Sequence, residues 1–208
     1  MKLKVNPTRQ ELLKIKKRLN TAKSGHALLK EKLDGLMQEF LADIRNLKLA
    51  REDLDQKIPA ALFDFFFAYN KMGERKITGL VSHLPKADID LSFFNVMGVK
   101  IRKGEVKNLK EVEDSKISLL SGDNFIYRSK KEISKNINDI LNYANLTMKI
   151  RLLAEEIEKT RRRVNSLEHV YIPEMERIKK YISQKLEERE RFDRTVILKL
   201  KEVMDSKK

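Results

Sequence analysis

The chain has 208 residues, and its 45 Lys and Arg against 31 Asp and Glu give a formal charge of +14. Charged residues make up 37% of it and glycine and proline number only 7 and 4, a composition of long solvated helices more than of a compact globule. With no cysteine there is no disulfide framework, no zinc–thiolate site and no thiol nucleophile, and a reducing compartment fits best.

The first nineteen residues, MKLKVNPTRQELLKIKKRL, lack the continuous apolar core of a signal peptide. Nowhere do about 18 apolar residues follow one another, so no membrane-spanning helix is expected and the chain reads as cytosolic. From Thr8 onward the apolar spacing becomes regular. Leu12, Ile15, Leu19, Ala22, His26, Leu29, Leu33, Leu36 and Phe40 follow alternating steps of three and four, the heptad seam of a left-handed coiled coil. Thr8 with Glu11 three residues on makes a capping box at its start. After Phe40 the pattern continues to Ile44 and Leu47, two fours in succession, which predicts a stutter that locally unwinds the supercoil. It then loosens toward the block AALFDFFFAY, with Pro59 just before it expected to kink or end the helix. The adjacent Phe63, Phe65, Phe66 and Phe67 would be costly to expose, so a partner surface is expected there.

Residues 69–129 have a different character, with five of the seven glycines, Gly73, Gly79, Gly98, Gly104 and Gly122. DIDLSFFN alternates polar and apolar residues and VMGVKIRKG follows closely, a pair that reads as a short β-hairpin. Lys107 to Lys116, KNLKEVEDSK, is polar and reads as a loop. A second helical pattern opens after Ser129. Ile133, Ile137, Ile140, Ala144, Thr147, Ala154, Ile157, Val164, Leu167, Tyr171, Met175, Ile178 and Ile182 lie along one stripe, and Leu186, Phe192, Val196, Leu200 and Val203 continue it more raggedly. About 70 residues of helix would be roughly 105 Å long, and a helix of that length buries its stripe only against another. The fold class is therefore mainly α. Residues 1–68 and 130–208 form a long antiparallel two-helix coiled coil, and residues 69–129 form a small middle subdomain with the hairpin.

Sites for chemistry are scarce. There is no phosphate-cradling GxxxxGK(S/T) and no GxGxxG. His26, His83 and His169 lie far apart without metal-ligand spacing, and His26 falls in the seam as a polar interruption. The neighbouring acids Glu155–Glu156 and Glu187–Glu188 point about 100° apart on a helix and would not act together as acid and base. No cofactor and no catalysis are expected.

The positive charge is spread: residues 1–68 carry 14 bases against 9 acids, residues 69–129 carry 11 against 8, and residues 130–208 carry 20 against 14. Arg161, Arg162 and Arg163 together cover about 200° of a helix circumference. Arg161, four after Ile157 and three before Val164, takes a seam position. With the turn near residues 69–129 it is expected opposite Glu39 and Asp43, a pair that would lock register. Arg162 and Arg163 point outward, either as a solvated face or toward an acidic partner. Pro173 removes the hydrogen bond to the carbonyl of His169 and is expected to kink the second helix.

Three blocks carry a resemblance: VNPTR at 5–9, AKSGHALLKEKLDGL at 22–36 and EEIEKTRRRVNSLEHVYIP at 155–173. They resemble the central-stalk D subunit of V-type and A-type rotary ATPases, in the same order and spacing across both helices; in the middle only the strand pair DIDLSFFNVMGVKI is similar. The resemblance implies a shaft inside a ring of nucleotide-binding A and B subunits, with the small F subunit of the stalk on its exposed part. Its base would dock on the membrane-side funnel subunit of C or d type. It implies a cytoplasmic chain, peripheral to the membrane, that couples ATP turnover in the ring to ion translocation and has no active site of its own. Arg162 and Arg163 then become ring-facing candidates, with Lys16, Lys17 and Arg18 near one end and Arg189 and Arg191 opposite them. A nucleic-acid-binding coiled coil is the competing reading. It would need a one-sided basic face interleaved with stacking aromatics, whereas these helices interleave acids with bases. A plain adaptor coiled coil is the third.

Overall fold

A computed structural model of the chain describes residues 6–82, 84–108, 112 and 124–206. His83, Gly122 and, apart from residue 112, the part of the expected loop from residue 109 onward lie outside the described residues. Helix α1 spans Arg9–Met72 and helix α2 Glu74–Val81; strands β1 (Ile89–Val96) and β2 (Val99–Val106) follow. The second arm comprises α3 (Asn124–Lys135), α4 (Ile137–Ser166), a π-helical segment (Leu167–Tyr171) and α5 (Ile172–Asp205).

The start of α1 is capped as its sequence predicts, with the Glu11 backbone N–H donating to Thr8 Oγ1 at 3.2 Å. Its end corrects the expectation for Pro59. The helix runs through that proline and stops only at Gly73, whose φ of 79° is accessible to a residue without Cβ. Pro59 and Asp55 both lie on the exposed side of the helix, so the Asp55 carbonyl that a proline leaves without its helical N–H partner can turn to solvent.

The seam of α1 is also continuous. Ile15, Leu19, Ala22, Leu36, Asp43, Leu54, Ala61 and Ala68 are buried and keep the three-four rhythm without the stutter expected after Phe40. The residue that keeps it is charged: Asp43 is 5% exposed and Ile44 is 39% exposed. A hydropathy reading steps over an aspartate and so counts a four where the helix has a three.

The second arm opens at Asn124, earlier than residue 130, and breaks at Asn136. There the backbone N–H meets the carbonyls of Glu132 and Ile133 at 3.2 Å each, and the side-chain amide donates to Glu132 O at 2.9 Å. Pro173 lies in the first turn of α5, directly after the π-helical segment. A proline has no N–H for the carbonyl of His169 and its ring crowds that turn, and a wider turn accommodates both. Dihedrals stay right-handed helical through Ser166, Tyr171 and Ile172.

The chain forms two compact units. One contains the described residues of 1–34 and 158–208. Here Ile15, Ile178 and Ile182 form a buried cluster flanked by Leu12, Met175 and Leu186, each fully buried side chain contributing about 2 kcal/mol. Antiparallel order is set by Arg9–Glu190 at 2.7 Å, Lys23–Glu176 at 2.7 Å and His26 Nε2 with Glu168 Oε2 at 3.3 Å. The expected polar interruption at His26 thus has a carboxylate beside it.

The other unit contains the described residues of 35–157. Small side chains at Ala61 and Ala68 let α3 lie close on α1, and Ser129 Oγ donates to the carbonyl of Ala61 at 2.7 Å. Ile77 of α2 and Ile126 of α3 close a core on Ala68 with Met72, Leu80, Leu84 and Phe125 around it. The hairpin pairs Ile89 with Val106 through Val96 with Val99. Its two-residue turn, Met97 and Gly98, has φ of 50° and 89°, the all-positive geometry that matches strand twist. Val99 and Ile101 are buried. Met97 folds over α1 so closely that a Cβ on Gly35 would come within 2.6 Å of its terminal carbon.

Asn145 of α4 holds the other side of the hairpin. Its Nδ2 donates to the carbonyl of Gly104 and its Oδ1 accepts from the Gly104 N–H, both at 2.9 Å, so one side-chain amide continues the strand ladder. Replacing Asn145 by Leu keeps the volume but strands two backbone groups of a buried glycine. The expected cost is about 2 kcal/mol, confined to the hairpin. Hydrogen exchange at Gly104 should accelerate while far-ultraviolet helix content stays unchanged.

Candidate interaction surfaces

Helical phase explains the placement of the arginine run. Thr160 (2% exposed) and Val164 are the seam residues, so Arg161, Arg162 and Arg163 arc across the opposite, exposed side. Steps of three-four and four-three both fit between Ile157 and Val164; the narrow seam takes the short, branched threonine. Arg161 is therefore not a seam residue. Arg162 bonds Glu158 one turn back. The carboxylates assigned to Arg161 are met by Lys149, whose Nζ lies 2.6 Å from Glu39 Oε1 and 2.8 Å from Asp43 Oδ2. Lys149 is roughly three helical turns before Arg161. The expectation placed the turn too far along the chain, because α3 already packs back on α1 from Asn124 onward.

Lys16, Lys17 and Arg18 are exposed on α1. Lys17 and Arg18, with Lys14, border a groove of about 430 Å³ whose floor is Thr21, Ala22, Leu167 and Tyr171. The groove thus runs along the π-helical segment that Pro173 follows. Arg189 and Arg191 are exposed near the start of a stretch, residues 187–206, in which every residue is exposed. Phe192, Ile197, Leu198, Leu200, Val203 and Met204 are each more than half exposed there. The ragged end of the sequence stripe, including Val196, Leu200 and Val203, is thus not a buried face. Arg9 opens α1 and meets Glu190, and no other described element packs beyond that point.

In the other unit, Phe63, Phe65, Phe66 and Phe67 are all exposed, Phe66 to 61%. Phe67 stacks on Phe125 and takes the edge of Phe63. Phe65 lines two shallow apolar pockets, one with Ile126 and Ile133 and one with Tyr69 and Ile77. Among the described residues no group of three or more His, Asp or Glu side chains is placed to hold a metal ion, and no helix is long and apolar enough to cross a membrane.

Paired antiparallel helices, an outward basic arc and exposed apolar patches in each unit define a mainly helical protein whose surfaces suit neighbours. The family model for the D subunit of ATP synthase matches residues 11–202. The V-type ATP synthase D subunit of Acetivibrio thermocellus is 39% identical, over 97% of this chain and 92% of its own length. Proteins of the same description from Clostridium botulinum (37%, over 100% and 98%) and a Thermoanaerobacter species (36%, over 96% of each) are similar to it. The chain belongs to the family of V-type ATP synthase D subunits, stalk components of rotary ATPases.

The Lys149 cluster was missed by sequence reasoning, although a Lys on one helix and a Glu and Asp one turn apart on the other were its signal. Burial disfavours the ammonium, but hydrogen bonds to Asp43 and Glu39 and their negative charge outweigh it and raise the Lys149 pKa above its ordinary 10.5. A folded pKa above the unfolded one stabilises fully below about pH 10 and is lost as pH rises through the raised value. Lys149→Met leaves Asp43 buried without its cation and is expected to cost about 3 kcal/mol in urea unfolding. Lys149→Met with Asp43→Leu should recover most of that loss, and the double variant should lose less stability than the parent as pH rises above about 10.

Proposed function

We propose that this chain is the central rotor shaft of a V/A-type ATPase. It couples ATP hydrolysis or synthesis in a catalytic ring of A and B subunits to rotation of the membrane ion-translocating rotor. The observation that carries this reading is the far part of α5, helical, apolar on several sides and covered by nothing among the described residues. A helix with apolar residues around its circumference is stable in water only when something encloses it. For a member of the D-subunit family, a ring of nucleotide-binding subunits is the enclosure that fits.

The rest of the surface divides accordingly. Arg162 and Arg163, with Lys16, Lys17, Arg18, Arg189 and Arg191, face the ring, where charge interactions felt over about 8 Å vary smoothly as the shaft turns. One asymmetric shaft biases chemically equivalent ring subunits toward different conformations. That bias is reciprocal, so conformational change in the ring also turns the shaft. The aromatic block Phe63–Phe67 and the pockets beside it suit docking on the membrane-side funnel subunit, of C or d type. The F subunit of the stalk binds elsewhere on the exposed part of the shaft. The chain works on the cytoplasmic face as a peripheral, non-catalytic part of the complex and needs no cofactor; nucleic acid is not a partner.

The reading is tested by isolating the complex from its host through a tag on this chain and measuring ATP turnover together with ion transport. Glu at both Arg162 and Arg163 is expected to lower ion transport per ATP about fivefold or more, with the chain's own stability little changed. Unchanged coupling would remove the basic arc from the mechanism. Leu200→Asp with Val203→Asp, on exposed positions, should release the ring subunits from the tagged chain. Retention of the ring would sink the role given to the end of α5.

A further inference from the structure

The hairpin carries an unused half-ladder. In a two-residue hairpin the strand ends next to the turn form a hydrogen-bonded pair, and such pairs recur at every second position. Val96 with Val99 sets that phase, and the Lys107 N–H donating to the carbonyl of Asp88 at 2.9 Å keeps it at the far end. The backbone N–H and C=O groups of Ile89, Leu91, Phe93 and Asn95 therefore point away from β2. The equivalent outward groups on β2 include those of Gly104, and there the Asn145 amide takes both. Nothing among the described residues does the same for β1.

The side chains at this edge match the open backbone. Ile89, Leu91 and Phe93 are 56%, 58% and 68% exposed and lie on one face, since residues two apart share a side of a strand. Directly opposed residues share a face as well, which puts Lys100 (opposite Asn95) and Arg102 (opposite Phe93) there too. Arg102 lies over the Phe93 ring, 5.9 Å from its centroid. Neither cation forms an ion pair among the described residues, whereas Lys103 and Lys107 are paired with Glu105 and Asp90. An exposed apolar edge strand invites strand addition, and natural proteins usually blunt such edges.

We propose that the open edge of β1 receives, as a third strand, an extended segment of another protein of the assembly that carries apolar side chains and carboxylates on one and the same face. Backbone bonding would run along Ile89, Leu91, Phe93 and Asn95, the apolar residues would cover Leu91 and Phe93, and carboxylates on that same face would meet Arg102, which lies over the Phe93 ring, and Lys100, whose long side chain reaches across Asn95. A second copy of this chain fits worse, since it would bring the same cations and a net charge of +14 to the same place. The proposal rests on the reading above that the chain works inside an assembly.

The test compares backbone hydrogen exchange in the assembly isolated through a tag on this chain with exchange in the full chain alone. Residues 89–96 are expected to exchange about tenfold or more slowly in the assembly. Two variants separate strand addition from side-chain contact. Leu91→Pro removes an outward N–H and leaves the hairpin's own ladder intact, and should abolish the added protection; Leu91→Ala should keep most of it. Equal exchange in assembly and free chain overturns the proposal. If ring subunits are present in that sample the rotary reading survives it, and if they are absent both fail. Protection that persists in Leu91→Pro also overturns it, as does protection already present in the free chain at the mass of a dimer.

Discussion

Two neighbouring turns of one helix set most of the geometry in the hairpin-bearing unit. Asn145 and Lys149 stand four residues apart on α4 and so share a face. The first grips the backbone of Gly104 in β2, and the second grips Glu39 and Asp43 of α1. A seam of Leu and Ile alone tolerates slippage by a heptad, because each register buries similar area. A half-buried ammonium that must find two carboxylates does not tolerate it: slipping one heptad would leave Asp43 charged and buried without a partner. The register of α1 against α4 and the seat of the hairpin thus depend on polar contacts set into an otherwise apolar seam.

That arrangement leaves the chain with little core and much surface. Paired helices bury one stripe each, and here the stripe is narrowed further by Ala22, Ala61, Ala68 and Thr160. The apolar groups left outside gather most densely in three places: the far part of α5, the Phe63–Phe67 block and the outer face of β1. A chain that functioned alone would bear the solubility cost of all three without return. In an assembly each becomes a contact, and binding energy then adds to a modest intrinsic stability. The outward cations Arg161, Arg162 and Arg163 follow the same logic, because helical phase sends all three away from the seam that Thr160 and Val164 occupy.

Much of this was legible in the residues themselves. The heptad from Leu12 to Phe40, the cap at Thr8 and the hairpin around Gly98 are local signals with local causes, and the structure forms each of them. The readings that differ from the structure have physical reasons. Apolar spacing favours Ile44 over Asp43, puts Arg161 where Thr160 sits, and draws a stripe through Ala144, Thr147 and Ala154, whereas the inward stripe passes through Leu141, Asn145, Lys149 and Leu153. At Asp43, Asn145 and Lys149 a polar residue is buried or half-buried because of what it meets, which hydropathy does not register, and at Thr160 and Leu153 helical spacing by itself does not choose between adjacent positions. Pro59 misled for a related reason: its consequence depends on whether the carbonyl it frees faces water.

What the sequence by itself determined is the set of elements: long amphipathic helices, a two-residue hairpin, an unusual density of charge and the motif blocks of its family. These follow from periodicity, capping and turn chemistry, which act over a few residues. Only the tertiary structure decided which residues stand opposite one another, that Lys149 and not Arg161 holds Glu39 and Asp43, that Asn145 closes one edge of the hairpin and that the other edge is left open. Periodicity specifies which face of a helix is buried but says nothing of how far its neighbour is displaced along the axis. That displacement is set by contacts between residues more than a hundred positions apart.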